Sequence, residues 1–249
     1  MSDAVRYDRV GPVAWVTIDR PEARNAINVD VRDGLRDAAA RFNADDAAVL
    51  VLTGSGDVAF CAGADLKEMS ALGLEVPPPD YVPVFGRTIE VAKPTIAAVN
   101  GVAYAGGFLL AQMCDLCVAA EHARFAITEV RVGRGAPWAA PLPWLVPPRI
   151  AMELLVTGEP LSAARAYEVG LVNRVVPLAE LHDAVQELAE GIAKNAPLSV
   201  AAAKRTVYLA LDAPYEAADA LWEPVYKSAD AQEGPRAFAE KREPRWQGR

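Results

Sequence analysis

Three short runs of apolar residues, Val49-Leu50-Val51-Leu52, Thr95-Ile96-Ala97-Ala98-Val99 and Leu116-Cys117-Val118-Ala119-Ala120, constrain this chain more than any other feature. A strand with one wet face alternates polar and apolar side chains, so a run without alternation predicts a strand covered on both faces, as in a parallel sheet flanked by helices. The first run is closed by Thr53-Gly54-Ser55-Gly56, and segments of helical character, among them Val29 to Asn43 and Phe108 to Cys114, lie between the strands. With a further β-rich segment from Gly11 to Asp19, ended by Pro21, strand and helix alternate through residues 10 to 175. That order predicts an α/β core with largely parallel strands. After Pro197 the pattern turns helical, with alanine-rich and amphipathic segments at Ser199 to Leu211 and Tyr215 to Ser228. The expected division is an α/β core domain over 1–196 and a small helical C-terminal module over 197–249. Glu75-Val76-Pro77-Pro78-Pro79-Asp80 is expected to be a loop, since its prolines remove backbone donors.

A chain of 249 residues is long enough for one large core and too short for several independent ones. The net charge of −8, with no block of Lys and Arg, argues against nucleic acid as the partner but leaves room for an anionic small ligand held by a few local donors. No apolar stretch approaches the roughly 20 residues of a membrane helix, so no membrane role is expected. The opening residues Met1 to Tyr7 show no basic segment followed by an apolar run, and a cytoplasmic setting is expected. Cys61, Cys114 and Cys117 are an odd number without an export signal, which disfavours a disulfide framework. Cys114 and Cys117 spell C-x-x-C, but in a buried helix end running into a strand. His122 and His182 lie in polar surroundings without a partner at ligand spacing, so no metal site is expected.

Two segments put glycine where a strand should hand over to a helix: Ala59 to Met69, with Gly63, and Asn100 to Leu110, with Gly101, Gly106 and Gly107. Glycine permits close backbone approach, and a helix start offers unsatisfied N–H groups. On its own, Gly106-Gly107 is equally explained by close helix packing, Arg24 by surface exposure, Asp65 by the preference for acidic residues in a first helical turn, and Glu129 by an exposed strand end. Trp138, with Trp144 and Pro141-Leu142-Pro143, suits a pocket wall or a plain core.

Taken together, these segments resemble the crotonase (enoyl-CoA hydratase/isomerase) superfamily along essentially the whole chain. The resemblance is carried by Arg20-Pro21-Glu22-Ala23-Arg24-Asn25-Ala26, by Ala62 to Leu66, and by Gly106-Gly107 with Met113-Cys114-Asp115. It continues through Leu154, Thr157 and Gly158, through Ala163, Ala166, Gly170, Leu171 and Val172, and ends in Glu233, Gly234, Ala237, Phe238, Lys241, Arg242, Pro244 and Trp246. It implies a crotonase-like spiral of ββα units with a helical C-terminal part, and assembly as a homotrimer or dimer of trimers. The substrate would be an acyl-CoA thioester, with coenzyme A part of the substrate and no separate cofactor. The backbone N–H groups of Ala64 and Gly106 would form an oxyanion hole. Arg24 would contact a CoA phosphate, and Ala62, Asp65 and Leu66 would lie along the bound CoA.

Members that hydrate enoyl-CoA hold water between two glutamates. Phe125-Ala126-Ile127-Thr128-Glu129 resembles the later one, placing Glu129 after a short strand as catalytic acid/base, but Leu109 occupies the earlier position. Leucine cannot activate water. A single base suffices for Δ3,Δ2-enoyl-CoA isomerisation, removing a proton from C2 and returning it to C4, and Leu109 and the stretch from Gly133 to Trp138 resemble the isomerases. Isomerisation by Glu129 is therefore the expectation. The alternatives are hydration, or another crotonase reaction such as thioester hydrolysis, with Asp65, Tyr104 or a residue of the Pro77 to Pro83 loop recruited; and, in another class, a non-catalytic acyl-CoA binding protein.

Overall fold

The computed structural model describes residues 4–73, 76–78, 80–208, 226–242, 244–245 and 247. The unalternating runs become β3 (Val49–Gly54), β5 (Thr95–Val99) and β7 (Leu116–Ala120) at the centre of a six-stranded sheet. Its order is β1-β2-β3-β5-β7-β10, with β1 at Val5–Val10, β2 at Val13–Ile18 and β10 at Arg174–Val176. All neighbours are parallel except β1 and β2. The expected strand around residues 11–19 is β2, but β1 was not foreseen. Its sequence, Val-Arg-Tyr-Asp-Arg-Val, buries only Val5 and Tyr7, as an edge strand covered on one face does.

Both faces of the central strands are covered. Leu50, Leu52, Ala97, Val99 and Ala119 face a large apolar core shared with helix α1 (Val29–Ala44), whose Val31, Leu35, Ala38 and Phe42 are buried. Val49, Val51, Ile96, Ala98 and Val118 face the other way, onto Leu181, Val185 and Ala189. Fully burying a Val or Leu contributes about 1.5–3 kcal/mol, so the two layers together set the sheet's position. Asn28 caps α1, its side chain accepting from the Val31 N–H at 3.0 Å.

After each central strand the chain turns into a short strand of a second sheet. This sheet has the order β4-β6-β8-β9, made of Ala59–Cys61, Val102–Tyr104, Arg124–Ala126 and Leu161–Ser162; β4, β6 and β8 run parallel and β9 antiparallel. Side chains pin two of the corners. Asn25 Nδ2 donates to the carbonyls of Ser55 and Ala59, and Asn100 Nδ2 to those of Gly56 and Ala59. The first two short strands feed the helices α2 (Leu66–Leu72) and α3 (Gly106–Gln112), which completes two ββα units. α3 was expected at Phe108 to Cys114. It begins and ends two residues earlier, and Met113 caps it.

Beyond the second sheet come α4 (Leu142–Leu145), α5 (Pro148–Thr157), α6 (Ala163–Glu168), α7 (Leu181–Ala193), α8 (Pro197–Tyr208) and α9 (Ala229–Ala239). α7 carries the residues that cover the second face of the large sheet. α8 covers the expected helix at residues 199–211 as far as Tyr208, positions 209–211 lying outside the described residues, and is tied to the core by Lys204, which pairs with Asp115 at 3.0 Å and donates to the Lys93 carbonyl. The expected helix at Tyr215 to Ser228 lies outside the described residues up to position 225, as do Glu75, Pro79 and Trp246. Val76, Pro77 and Pro78 are neither helix nor strand, as expected of that loop. All three cysteines are free and buried, and burial pushes the Cys61 and Cys117 thiols up to about 12. Both histidines are exposed. Among the described residues no helix is long and apolar enough to cross a membrane.

The contact between α3 and β4 admits no side chain at Gly107, where a Cβ would fall 2.0 Å from the Cys61 carbonyl oxygen. Gly107→Ala is therefore expected to cost about 3 kcal/mol, the upper end for overpacking. Gly191→Ala, at an exposed position of α7 where a Cβ would meet nothing within 4 Å, should be neutral or stabilising. Urea denaturation of both variants checks the pair.

Candidate active site

Three segments leave the C-terminal ends of three adjacent parallel strands of the small sheet: Ala62-Gly63-Ala64 after β4, Ala105-Gly106 after β6, and Ile127-Thr128-Glu129 after β8. This is the edge at which parallel α/β sheets bind ligands. The Ala105 N–H donates to the Ala126 carbonyl at 2.9 Å, which ties the start of α3 to the chain three residues before Glu129.

The first two segments are in contact. A Cβ placed on Gly106 would lie 3.7 Å from the Ala64 nitrogen, and one on Gly63 would lie 3.4 Å from the Gly106 nitrogen. Ala64 forms a parallel bridge with Ile27, in which the Ile27 N–H donates to the Gly63 carbonyl and the Asp65 N–H to the Ile27 carbonyl. That bridge uses the groups on either side of Ala64 and leaves the Ala64 N–H directed away. Neither it nor the Gly106 N–H has a partner among the described residues. Ala105, just before Gly106, has φ 50° and ψ −121°, a conformation an alanine rarely adopts and one that concentrates at functional sites. Two unspent N–H donors this close together are able to hold a negatively charged oxygen.

Glu129 lies in a single 3-10 turn, Thr128–Val132, closed by Gly133 in the left-handed conformation. Its Oε1 accepts a hydrogen bond from the Trp138 indole Nε1 at 3.0 Å. Its Oε2 is sealed from solvent without a partner among the described residues. Burial pushes its pKa from an ordinary 4.5 up to about 7, against the smaller opposing effect of hydrogen bonds from its own backbone N–H and from Trp138. The strand-end glutamate of the sequence is thus a carboxyl in an apolar setting. Leu109 is buried in the apolar core on α3. Trp138 is buried too, and its ring meets Phe108 edge to face at 5.9 Å.

Arg24 is exposed, and its carbonyl accepts from the Ala62 N–H at 3.0 Å, so the two expected CoA neighbours adjoin. Leu66 opens α2 and is half-buried. The Asp65 carboxylate is engaged within the fold. Oδ1 caps α2 by accepting from the Lys67 and Glu68 N–H groups, and Oδ2 pairs with Arg20 at 3.2 Å. Two features escaped sequence reasoning: the indole bond to Glu129, and Gln112, whose Nε2 donates to the Trp138 carbonyl at 3.1 Å. A lone amide in the apolar stretch from Phe108 to Met113 was the available signal for the second. Nothing in the sequence marked the first.

With two neighbouring N–H groups left unbonded among the described residues, one buried carboxyl and a surface arginine at the carboxyl edge of a ββα sheet, the arrangement is that of a crotonase fold. The family model described as enoyl-CoA hydratase/isomerase matches residues 8–249. A carnitinyl-CoA dehydratase of Salmonella paratyphi A is 40% identical, with all of both chains covered. Among solved structures, EchA1_1 from Mycobacterium paratuberculosis is 43% identical with a TM-score of 0.89, and a carnitinyl-CoA hydratase from Mycobacterium avium is 41% identical with a TM-score of 0.89, each covering all of both chains. The chain belongs to the enoyl-CoA hydratase/isomerase family.

The raised pKa of Glu129 has a consequence for stability. The folded state holds that proton more tightly than the unfolded chain, so the contribution is present below pH 4.5 and is lost as pH rises through about 7. Glu129→Gln, which mimics the protonated form, is expected to match wild type near pH 4.5 and to exceed it increasingly up to pH 7, levelling above that at a ceiling of roughly 3 kcal/mol. Chemical denaturation of both proteins across this range measures it.

Proposed function

We propose that the enzyme is a hydro-lyase acting on an acyl-CoA, interconverting a 3-hydroxyacyl thioester with the 2-enoyl thioester and water, with Glu129 as its acid/base. The observation that carries this is the Oε2 of Glu129, without a partner among the described residues, on an enclosed carboxyl whose pKa burial pushes up to about 7. In the direction of dehydration, Oε2 takes the proton from C2 while the N–H groups of Ala64 and Gly106 hold the enolate oxygen. The C3–O bond then breaks, and the same carboxyl returns its proton to the departing hydroxyl, releasing water. One group performing both transfers requires that proton and hydroxyl leave from the same face of the substrate. Arg24 serves a CoA phosphate, with Ala62 and Leu66 alongside the bound CoA.

Leu109 suits the single-base isomerisation expected from the sequence. The dehydratase and hydratase names of relatives about 40% identical over their whole length favour the hydration alternative instead. A buried carboxyl that can both give and accept a proton meets the need without a second glutamate.

In water enriched in oxygen-18, a 2-enoyl-CoA should yield 3-hydroxyacyl-CoA carrying the label, and Glu129→Gln should lower the rate by about 10²–10⁴-fold. Conversion of a 3-enoyl-CoA to the 2-enoyl isomer, with no label taken up from either substrate, would establish isomerisation in its place.

We also propose assembly as a trimer or dimer of trimers. Trp144, Met152, Val156 and Tyr167, on or beside α4 to α6, are each more than half exposed, and apolar surface of this kind marks a contact with other copies of the chain. Sedimentation equilibrium should give a mass of three or six chains, and Met152→Glu with Val156→Glu should reduce it.

A further inference from the structure

Among the described residues Glu129 has one oxygen bonded and one without a partner, and the reason lies on α3. Phe108 and Gln112 are four residues apart and so share one face of that helix. Both hold Trp138. The Phe108 ring packs edge to face against the indole at 5.9 Å and 71°, and against Phe125 at 5.8 Å. The Gln112 amide nitrogen donates to the Trp138 carbonyl at 3.1 Å. The amide has only this orientation available, because turning it over would set its oxygen against a carbonyl oxygen. Its Oε1 is left without a partner among the described residues, an arrangement that works against stability. A methionine or leucine would fill the position without that cost, so a role beyond packing is indicated.

We propose that Gln112 and Trp138 are positioning residues, a relay from α3 that fixes the carboxyl of Glu129 so that Oε1 is bound by the indole and Oε2 is presented to the reacting atoms. The indole N–H donates only in the plane of its ring, and that plane is set by Phe108 on one side and by the anchored backbone of Trp138 on the other. The carboxyl therefore has one orientation to adopt. In two-glutamate members of the family the second carboxylate shares the task of placing water. Here Leu109 gives no such help, and the orientation of the remaining carboxyl has to be imposed from outside. This inference rests on Glu129 being the acid/base of the proposed reaction.

Neighbouring charges do not account for the state of Glu129, whose shift comes from burial and hydrogen bonds alone. On its own segment and the loop that follows it, Arg131 pairs with Glu159 at the surface, and the Arg134 guanidinium lies over the Tyr226 ring. On α9, Glu233 pairs with Arg242, and Asp230 and Arg236 complete the charged set. α5 brings Arg149 and Glu153, both exposed; β8 brings Arg124, bonded to the backbone carbonyls of His122 and Ala123; and α3 has no charged residue.

The test uses Trp138→Phe and Gln112→Met in the full chain, with two readouts. The first is the titration of Glu129 without substrate, followed by its carboxyl infrared band and isolated by subtracting the spectrum of Glu129→Gln. Loss of the indole donor removes a stabiliser of the carboxylate, so Trp138→Phe should titrate at higher pH than wild type. The second is the pH profile of turnover. Trp138→Phe should lower kcat at least tenfold with KM changed less than threefold, and the acidic limb should move to higher pH; Gln112→Met should shift both in the same direction by less, with its melting temperature unchanged. Unchanged titration together with kcat within twofold of wild type in either folded variant overturns the relay. A shifted band in a protein that turns over neither enoyl nor hydroxyacyl thioesters would retain the relay and overturn the proposed reaction, whereas turnover without a shift would do the reverse. If Trp138→Phe does not fold, Gln112→Met decides alone.

Discussion

The close approach of α3 to β4 governs the rest of the site. At Gly107 the helix backbone lies against the Cys61 carbonyl at a distance no Cβ tolerates. That contact sets the height of α3 above the small sheet, and three consequences follow from it. The Gly106 N–H arrives beside the Ala64 N–H. The side chains on the α3 face bearing Phe108 and Gln112 reach Trp138. The chain before the helix takes the strained turn at Ala105, a conformation the surrounding hydrogen bonds have to hold in place.

Glu129 and Glu233 show how one residue type acquires opposite properties within one fold. Glu233 accepts from the Arg242 guanidinium and from the Arg245 backbone N–H, and these hold its carboxyl down to about 2. Among the described residues Glu129 has no cation partner and only neutral donors, its own backbone N–H and the Trp138 indole, so burial prevails and its pKa rises to about 7. The first arrangement fastens α9 to the chain that follows it. The second yields a carboxyl that can gain or lose its proton near neutral pH.

Much of the fold was legible because the signals were local. Val49 to Leu52, Thr95 to Val99 and Leu116 to Ala120 are covered on both faces, so their apolar continuity is a direct image of their place between two helical layers. The small sheet was largely hidden, since strands of two or three residues are too short to show a period, and what marks their corners is the side-chain bonding of Asn25 and Asn100 to carbonyls far along the chain. The edge strand β1 was masked by its charged residues. For the site, the glycines and Glu129 stood out through the pattern of segments. The bond between Trp138 and Glu129 depends on how two 3-10 turns face each other, which no spacing encodes. Asp65 also carried two readings, and its oxygens are taken up by the cap of α2 and by Arg20.

α9 rests on the turn that carries Glu129. Gly234 lies so near the Val132 carbonyl that a side chain there would come within 1.8 Å of it, and Pro235, which cannot donate within its helix, leaves the Ala231 carbonyl to the Arg134 guanidinium, 97 residues earlier in the chain. During synthesis the two halves of the site therefore mature at different times. The half that carries the Ala64 and Gly106 N–H groups rests on Ile27, β4, β6, α3 and β8 and is settled once the middle of the chain has emerged, whereas the turn bearing Glu129 gains its backing only when residues near 234 are made. A nascent chain at the intermediate stage would have its pair of N–H groups in place before Glu129 had its final surroundings.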